Sequence, residues 1–249
     1  MTDLPFGIDF GGSGIKGAPV DLVAGHFAED RVRIDTPHPA TPHAVADVFV
    51  ELLGKFTDSS GAVGVTVPGV IRRGVVNSAA NIDKSWIGED ADQLFTDATG
   101  RDVYVVNDAD AAGLAEVRYG AAKGRTGLVI LTTLGTGIGS ALVHNGVLVP
   151  NSELGHLEID GHDAEKRAAS SVREDKDLSW EEWAERLTTY YRALEMLFSP
   201  ELFVVGGGIS KKAHKFIPLI DIDTEIVPAS LRNDAGIIGA ALYAAEGGA

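Results

Sequence analysis

Residues 103–112, VYVVNDADAA, contain the feature around which we predict the fold. Four apolar residues, three of them β-branched valines, predict a short buried strand that stops at Asn107 and Asp108. Small helix-forming residues then continue to Tyr119. Polar side chains at the carboxyl end of a strand, beside a helix N-terminus, lie where open α/β sheets bind ligands. By itself the stretch favours a simpler interpretation, in which Asn107 or Asp108 only caps the helix.

The composition limits the class of protein. The chain has 249 residues, 45% of them hydrophobic and none of them cysteine, which suits one large or two small α/β domains and a cytoplasmic protein without disulfides or thiolate metal sites. No apolar run of about 18 residues occurs, so no membrane span is expected. With 21 Lys and Arg against 36 Asp and Glu, the formal net charge is −15. This charge argues against nucleic acid as a partner, and a phosphate-rich substrate would need local chemistry to hold it.

A glycine-rich turn follows the first predicted strand. Residues 9–17 read DFGGSGIKG and lead into a second strand, which would complete a hairpin. The glycines let the backbone turn tightly and present N–H groups to a phosphate, while Asp9 could hold Mg²⁺ directly or through water and Lys16 adds a positive charge. The alternative is an ordinary hairpin turn. A P-loop is excluded, because the pattern is not G-x-x-x-x-G-K-[ST] and a strand follows it.

Two further glycine loops follow predicted strands. The strand at 127–134 leads into GTGIGS at 135–140 and then into one further strand at 141–149, which repeats the plan of the first hairpin. A third loop, GGGIS at 206–210, follows the strand at 202–205 and precedes a predicted helix. Two such hairpins predict two related halves that face each other across a cleft.

Two polar segments allow a functional and a structural interpretation. Residues 77–86, NSAANIDKSW, are either a surface loop anchored by Trp86 or a sugar-binding element in which the indole covers a pyranose face. Residues 151–156, NSELGH, place Glu153 and His156 three apart, so they share one face of a helical turn. An acidic partner favours a functional role for His156 over a purely structural one.

Apolar periodicity and capping residues predict the longer helices. They cover 42–56 with Thr41 as cap, 179–199 with a Ser179/Glu182 capping box, and 236–245. We interpret residues 158–165 as a polar loop, because their acids and histidine lack metal-ligand spacing. The charged residues 166–177 are interpreted as a solvated connector.

Three glycine loops and an Asn–Asp pair favour phosphoryl transfer. The transferring group carries negative charge on its equatorial oxygens, so backbone N–H donors and Mg²⁺ do most of the work. The acceptor hydroxyl must be aligned and must lose a proton, which a carboxylate within about 3 Å can bring about. Asp108 is the candidate for that carboxylate.

The motifs DFGGSGIKG, VPG, ND, LGTGIG, SELGH and GGGIS resemble, in this order, those of the ROK (repressor/kinase) family of sugar kinases. The resemblance implies a two-domain actin-like ATPase (ribonuclease H-like) α/β fold with a central cleft. The N-terminal domain would span 1–108, completed by the helix at 236–249, and the other domain 109–235. Within the family, TLGTGIGSAL and SELGHLEIDG are similar to actinobacterial polyphosphate glucokinases. That subgroup implies phosphoryl transfer from polyphosphate, and from ATP, to the 6-hydroxyl of glucose, with Mg²⁺ as cofactor and a homodimeric enzyme.

The resemblance also assigns roles by position. Asp108 would accept the proton of the sugar's 6-hydroxyl, and Asp9 would hold Mg²⁺. Contacts to sugar hydroxyls would come from Gly69, Asn81, Asn107, Asp108, Glu153, His156 and Glu165. The phosphates would be faced by Asp9, Gly11, Gly12, Ser13, Lys16, Thr133, Gly135, Thr136 and Gly137, with Gly206, Gly207 and Gly208 at the nucleotide end of the donor site.

One departure from the family pattern concerns zinc. Many members follow the Gly-His element with a cysteine-rich zinc motif, and this chain has no cysteine. No structural zinc is therefore expected, and His156 must be oriented by another hydrogen bond.

Several alternatives stay open at this point. The donor could be ATP alone, and the sugar could be another hexose such as mannose. A sugar-sensing repressor would need a DNA-binding segment, for which we expect no room before the hairpin that starts by Phe6. A third alternative is a non-catalytic sugar-binding module, in which replacing Asp108 by alanine would remove no activity. A polyphosphate chain would need a local basic track, for which the candidates are Lys16, Arg72, Arg73, Lys84, Lys123, Arg125, Lys211, Lys212 and Lys215.

Overall fold

The computed structural model describes residues 3–56, 59–79 and 82–248. The strands within these ranges are β1 (Phe6–Gly11), β2 (Gly14–Asp21), β3 (His26–Phe27), β4 (Val32–Ile34), β5 (Val63–Val67), β6 (Ile71–Arg72), β7 (Val75–Val76), β8 (Val103–Asn107), β9 (Leu128–Leu134), β10 (Ile138–His144), β11 (Val147–Val149), β12 (Glu158–Ile159), β13 (His162–Asp163), β14 (Leu202–Gly206) and β15 (Ile226–Pro228). The α-helices are α1 (Pro42–Leu53), α2 (Ala91–Thr99), α3 (Asp108–Arg118), α4 (Glu165–Ala168), α5 (Ser170–Asp175), α6 (Trp180–Phe198) and α7 (Ala235–Ala245).

The chain forms two compact units. Unit 1 comprises Met1–Ala111 and Asp234–Ala249, and unit 2 comprises Ala112–Asn233. The first passage between the units therefore falls inside α3, and α7 returns the chain to unit 1.

The sheet of unit 1 has the order β3-β2-β1-β5-β8, with β4 paired to β2. β1 and β2 form the predicted antiparallel hairpin, while β1, β5 and β8 run parallel. Asp9 pairs in register with Thr66, and Val67 with Asn107. The three parallel strands consequently end at the same edge of the sheet, and the glycine turn after β1 lies at that edge.

The sheet of unit 2 repeats this plan. Its order is β11-β10-β9-β14-β15, with β9 and β10 as the antiparallel hairpin and β9, β14 and β15 parallel. Leaving β4 aside, the strands of each sheet follow the same sequence of connections, with the first strand of the unit in the centre and its hairpin partners on one side. The two glycine hairpins recognised in the sequence therefore begin two sheets of the same topology.

An aromatic cluster fills the core of unit 1 around α1 and α2. Phe49 and Phe95 lie 4.5 Å apart between ring centroids, and Phe10 and Trp86 lie 5.5 Å apart. Trp86 is fully buried, and its indole N–H donates to the Ala40 carbonyl at 2.8 Å. The sugar-binding interpretation of Trp86 is therefore wrong. Its ring anchors the segment in the core, where burial of a large side chain contributes about 1.5–3 kcal/mol.

Helix α7 packs directly against β1 and β5 because both surfaces have little side-chain bulk. A Cβ atom added at Gly64 would overlap the carbonyl oxygen of Ala240, and one added at Gly7 would overlap that of Ile237. The small residues of 236–245 are thus explained by packing, because they allow the backbones of the helix and the strands to approach closely.

Helix α6 provides most of the aromatic core of unit 2. Trp183, Tyr190 and Tyr191 are buried, and Phe203 on β14 packs 5.0 Å from the Tyr191 ring. The predicted capping box is confirmed, because Ser179 accepts from the Glu182 N–H and Glu182 accepts from the Ser179 N–H.

Two hairpins differ from the sequence-based prediction. The single strand predicted at 141–149 is wrong, because β10 and β11 are separated by a turn at Asn145 and Gly146, both with positive φ. Asp160 and Gly161, also at positive φ, join β12 to β13 inside the segment interpreted as a polar loop. Asn-Gly and Asp-Gly are the preferred pairs for such two-residue hairpins, so the signal was present in the sequence.

Two helical predictions also need correction. Residues 166–177 are not a solvated connector, since α4 and α5 occupy most of them and bury Ala168, Ala169 and Ser170. Thr41 occupies the cap position of α1, but its side chain makes no capping hydrogen bond. Pro42 in the first turn removes one of the N–H groups that would need a cap.

Among the described residues, none of the helices combines the length and the apolar character that a membrane crossing requires.

The close approach of α7 to β5 gives a stability prediction. We expect Gly64→Ala to lower the free energy of unfolding by about 3 kcal/mol, because the new methyl group forces the backbones apart. Gly124→Ala is the comparison, since Gly124 has φ 79° and open space around it. It should cost only about 1 kcal/mol from backbone strain. Urea unfolding followed by tryptophan fluorescence measures both, and equal losses would contradict the packing argument.

Candidate active site

Asn107 connects the ends of two strands with the start of α3. Its side-chain Oδ1 accepts from the N–H groups of Ala109 at 2.8 Å and Asp110 at 3.2 Å, and its Nδ2 donates to the Gly69 carbonyl at 3.0 Å. Only 9% of Asn107 is exposed. The capping interpretation is therefore right for Asn107. A sugar contact from the same side chain would have to come from the second Nδ2 hydrogen.

Asp108 is the first residue of α3 and is exposed. Its Oδ1 accepts from the Ala109 N–H at 2.8 Å, which turns the carboxylate along the start of the helix. The positive end of the helix dipole favours a negative charge at this position. The structure therefore presents an accessible, oriented carboxylate at the carboxyl end of β8.

Gly69 lies in the turn after β5 and is held from two sides. Its carbonyl accepts from Asn107, and the next N–H, that of Val70, donates to the Ser78 hydroxyl at 2.9 Å. A Cβ at Gly69 would overlap the Ser78 carbonyl, so the turn requires glycine. Asn81, predicted to contact the sugar, lies outside the described residues.

Asp9 and Lys16 form an ion pair on the first hairpin. Lys16 Nζ lies 3.3 Å from Asp9 Oδ2, with 30% and 25% of the two side chains exposed. Thr66, buried on β5, donates its hydroxyl proton to Asp9 Oδ1 at 3.2 Å and accepts from the Phe10 N–H at 3.2 Å. The Asp9 carboxylate is thus oriented on one oxygen by a hydroxyl and on the other by an ammonium group.

The turn of the first hairpin is fixed through its carbonyl groups. The Thr36 hydroxyl donates to the Gly11 carbonyl at 2.6 Å, and the Arg33 guanidinium donates to the Ser13 carbonyl at 2.7 Å. Gly12 and Ser13 are exposed at its tip. These contacts hold Gly11–Ser13 at the same sheet edge as Gly69, Asn107 and Asp108.

The two glycine loops of unit 2 lie side by side. Thr133 pairs in register with Gly206, so the loops at 135–137 and 206–208 leave neighbouring strand ends. Gly207 has φ 80°, and a Cβ there would overlap the backbone of Leu134. The structure therefore brings together all five predicted loop glycines of this unit, with Thr133 and Thr136, at one edge of the sheet.

Glu153 immediately precedes the short 3₁₀ segment Leu154–His156, which ends with His156 and is held by β10. Ser140 of β10 donates to the Ser152 carbonyl at 2.7 Å and accepts from the Leu154 N–H at 2.9 Å. Burial raises the pKa of Glu153, and the nearby His156 opposes that shift. Partial burial therefore makes the charged carboxylate of Glu153 less favourable than that of an exposed glutamate.

His156 is oriented by carboxylates. Its Nδ1 lies 3.5 Å from Asp163 Oδ1 and 3.8 Å from Glu165 Oε1. Lys166 pairs with the other Asp163 oxygen at 2.9 Å, and Glu165 Oε2 accepts from the Ile138 N–H at 3.2 Å. Asp163 is the residue that sequence reasoning missed, because nothing in its spacing distinguished it from the other acids of 158–165. The hydrogen bond to Lys166 lowers the pKa of Asp163, so a negative charge faces the imidazole.

The residues available for a metal ion are few. Within residues 3–56, 59–79 and 82–248, no three His, Cys, Asp or Glu side chains form a cluster that could hold a metal. Mg²⁺ is commonly held by one or two carboxylates together with water and substrate phosphates. The half-buried Asp9 carboxylate at the glycine hairpin fits that mode of binding.

Each unit therefore consists of a five-strand path that carries glycine loops and polar side chains at the carboxyl edge of its parallel strands. The ROK family model matches residues 5–171, and the chain belongs to the ROK family. Members of this family have the actin-like ATPase fold, and the predicted fold is confirmed.

Individual relatives cover nearly the whole chain. A polyphosphate glucokinase of Mycobacterium tuberculosis is 55% identical over 95% of this chain and 89% of its own length. The crystal structure of an inorganic polyphosphate/ATP-glucomannokinase from Arthrobacter is 53% identical, with a TM-score of 0.91, and the match covers 99% of this chain and all of that one. A ROK glucokinase from Streptomyces griseus, solved with glucose and AMPPNP, shares the fold at 24% identity, with a TM-score of 0.83 over 98% of this chain and 99% of that one.

The hydroxyl of Thr66 gives a second prediction. Thr66→Val keeps the shape and strand preference of the residue but leaves the buried Phe10 N–H without its acceptor. We expect it to lower the free energy of unfolding by about 2 kcal/mol, since an unsatisfied buried donor costs its full desolvation energy. Thr66→Ser keeps the hydroxyl and should cost less. Urea unfolding compares the two variants, and a larger loss for serine would contradict this role of the hydroxyl.

Proposed function

We propose that this protein transfers the terminal phosphoryl group of inorganic polyphosphate, and of ATP, to the 6-hydroxyl of glucose. The observation that carries the proposal is the shared sheet edge of unit 1, where an oriented carboxylate, Asp108, accompanies a glycine hairpin with an Asp9–Lys16 pair. A base for a hydroxyl and a holder for phosphates are the two parts that phosphoryl transfer needs. The named activities of the Mycobacterium and Arthrobacter relatives support the same reaction.

In this proposal Asp108 acts as the general base. The glucose O6 forms a bond to the terminal phosphorus, the O6–H proton passes to the Asp108 carboxylate, and the bond from that phosphorus to the rest of the donor breaks. The leaving oxygen keeps the electron pair of that bond. Hydrogen bonds from the residues assigned to the sugar hold the hydroxyl towards Asp108; those residues are Gly69, Asn81, Asn107, Glu153, His156 and Glu165.

The glycine loops would bind the donor through backbone N–H groups, because such donors match the charge on the transferring oxygens. This role is assigned to Gly11, Gly12, Ser13, Gly135, Thr136, Gly137 and Thr133, with Gly206, Gly207 and Gly208 towards the far end of the donor. Phosphoryl transfer in this family depends on a metal ion, for which we propose Mg²⁺. When bound, the ion would neutralise charge on the phosphates, and Asp9 would hold it directly or through water.

Mannose is a second candidate acceptor, because the Arthrobacter relative, at 53% identity, is named a glucomannokinase. We also propose a homodimer, which the family resemblance implies. A non-catalytic sugar-binding module is disfavoured by the accessible Asp108 carboxylate, since binding alone needs no base beside the sugar hydroxyl.

A donor and sugar screen of the purified protein tests the proposal. We expect glucose 6-phosphate from polyphosphate and from ATP, with Mg²⁺ required in both cases, and slower turnover of mannose. Removal of metal by a chelator should abolish turnover, and added Mg²⁺ should restore it. Activity with ATP and none with polyphosphate would overturn the donor assignment, and no phosphorylated sugar with either donor would overturn the function.

Asp108→Asn tests the proposed base. We expect kcat to fall by a factor of about 10³, because a general base contributes about 10²–10⁴. The affinity for glucose, measured by calorimetry, should weaken only several-fold, since the amide can still accept a hydrogen bond. Asp97→Asn, on the exposed face of α2, is the matched control and should behave as wild type. Turnover of Asp108→Asn close to wild type would remove Asp108 from this role.

A further inference from the structure

A basic cluster surrounds Trp180 in unit 2. The Arg173 guanidinium lies 3.8 Å from the centroid of the Trp180 ring, and Lys215 Nζ lies 5.5 Å from it. Phe216 stacks against the same indole, with centroids 6.1 Å apart and ring planes 14° apart. Both cations are therefore held by cation–π attraction to an indole that Phe216 keeps in place.

Arg173 has no acidic partner in the part of the chain that the structure describes. It forms no ion pair there, although Glu174 and Asp175 follow it directly and are exposed. Its Nε is buried and lacks a hydrogen-bond acceptor within those residues. In a chain with a net charge of −15 this is an unusual state for a guanidinium. Its flat face rests on the indole, and its N–H groups form a fork that suits phosphate oxygens.

The cluster is joined to the glycine loops proposed to hold the donor. Ser171, two residues before Arg173 on α5, donates its hydroxyl to the Thr136 carbonyl at 2.7 Å and its N–H to the Gly135 carbonyl at 3.1 Å. Lys215 ends the 3₁₀ segment Gly208–Lys215, which starts at the third glycine loop. The two cations therefore lie on the two chain segments that directly adjoin the proposed donor loops.

The sequence around the third glycine loop is locally positive. Between Glu201 and Asp221 the chain has three lysines, Lys211, Lys212 and Lys215, and no acidic residue, whereas the whole chain has 36 Asp and Glu in 249 residues. All three lysines are exposed. Because salt screens exposed charges over about 10 Å, these nearby cations outweigh the distant acidic surface for a ligand bound beside them.

We propose that Arg173 and Lys215, which contact Trp180, together with Lys211 and Lys212 of the same 3₁₀ segment as Lys215, bind the polyphosphate chain beyond the phosphoryl group that is transferred. We call this set the basic platform. The inference rests on the proposed function, because it extends the donor site of that reaction. A linear polyphosphate carries charge along its whole length, whereas ATP ends in an uncharged nucleoside after three phosphates. Trp180 already contacts Phe216, Trp183 and Arg173, so we assign it to holding cations and not to stacking on a nucleobase.

Chain-length kinetics test the platform. The donors are tripolyphosphate, a short and a long polyphosphate fraction, and ATP, each with the full-length protein, glucose and Mg²⁺. For Arg173→Met and Lys215→Met we expect the KM for long polyphosphate to rise about tenfold, as for loss of a charged hydrogen bond. The KM for tripolyphosphate should change much less. The dependence of the long-chain KM on salt should also weaken, because fewer phosphate contacts release fewer counterions.

Lys176→Met is the matched control. Lys176 is exposed at the end of α5, and its loss changes the net charge by the same amount as loss of Lys215. It should change every KM less than about twofold, as expected for a remote surface charge. Arg173→Lys keeps the charge but not the planar fork, and should recover part of the loss. Thermal unfolding of each variant shows whether the fold is intact.

Equilibrium binding of the long fraction, without glucose, separates this inference from the proposed function. If wild type phosphorylates glucose from polyphosphate but the platform variants keep its chain-length dependence, the platform is wrong and the function stands. If wild type neither uses nor binds polyphosphate, both are wrong. Weaker binding in the platform variants and unchanged binding in Lys176→Met support the platform, even if turnover proves slow. Equal losses in Lys176→Met and Lys215→Met would overturn it.

Discussion

The three hydrogen bonds of the Asn107 side chain are the constraint on which the candidate site of unit 1 depends. One amide group caps α3 and holds the Gly69 carbonyl, so the turn after β5 and the start of α3 have fixed positions relative to each other. Asp108 follows Asn107 directly, and the position of its carboxylate depends on that cap. The opposite end of α3 is also fixed, because the buried Glu116 accepts hydrogen bonds from the N–H groups of Ser230 and Leu231. A helix held at both ends gives the Asp108 carboxylate a defined place, which a loop would not.

Acidic proteins can bind polyanions only where local contacts are stronger than the long-range repulsion. At the first hairpin of unit 1 the positive charges are Lys16, which is paired with Asp9, and Arg33, which is paired with Asp35. A phosphate or a metal ion approaching this hairpin therefore changes an existing ion pair and does not enter an empty positive pocket. In unit 2 the glycine loops offer backbone groups, and beyond them lie Arg173 and Lys215, which form no ion pair within residues 3–56, 59–79 and 82–248. The two units thus differ. At the first hairpin the positive side chains are paired with carboxylates, whereas near the glycine loops of unit 2 the cations Arg173 and Lys215 lie against an aromatic ring.

The sequence was most informative where the residues that determine a structural element lie within one short segment of the chain. The strands that end in glycine loops, the capping box at Ser179 and the hairpins follow local rules, and the structure has them. The Asn145-Gly146 and Asp160-Gly161 turns obey such a rule as well, and a prediction that weighted them fully would have divided the strand at 141–149. Trp86 is different, because its neighbour Phe10 is distant in the sequence and only the folded core brings the two rings together. The contact of Trp180 with Phe216 is of this second kind, whereas Asp163 and His156 are near in the sequence and meet through the turn between β12 and β13.

The surroundings of His156 also show a contact that no local sequence motif identifies. In family members with a zinc site, the ion fixes the geometry of its ligands, and a cysteine-rich motif identifies the site in the sequence. Here the short hairpin of β12 and β13 brings Asp163 to 3.5 Å from His156 Nδ1, and Lys166 binds the opposite oxygen of the same carboxylate. Lys166 keeps Asp163 ionised and in place, so Asp163 can hold the ring nitrogen that faces it. Under the proposed function, the other nitrogen, Nε2, would be the one that contacts the sugar. Carboxylates from a hairpin and the following helix thus lie beside the histidine ring, and their spacing forms no motif that identifies them in the sequence.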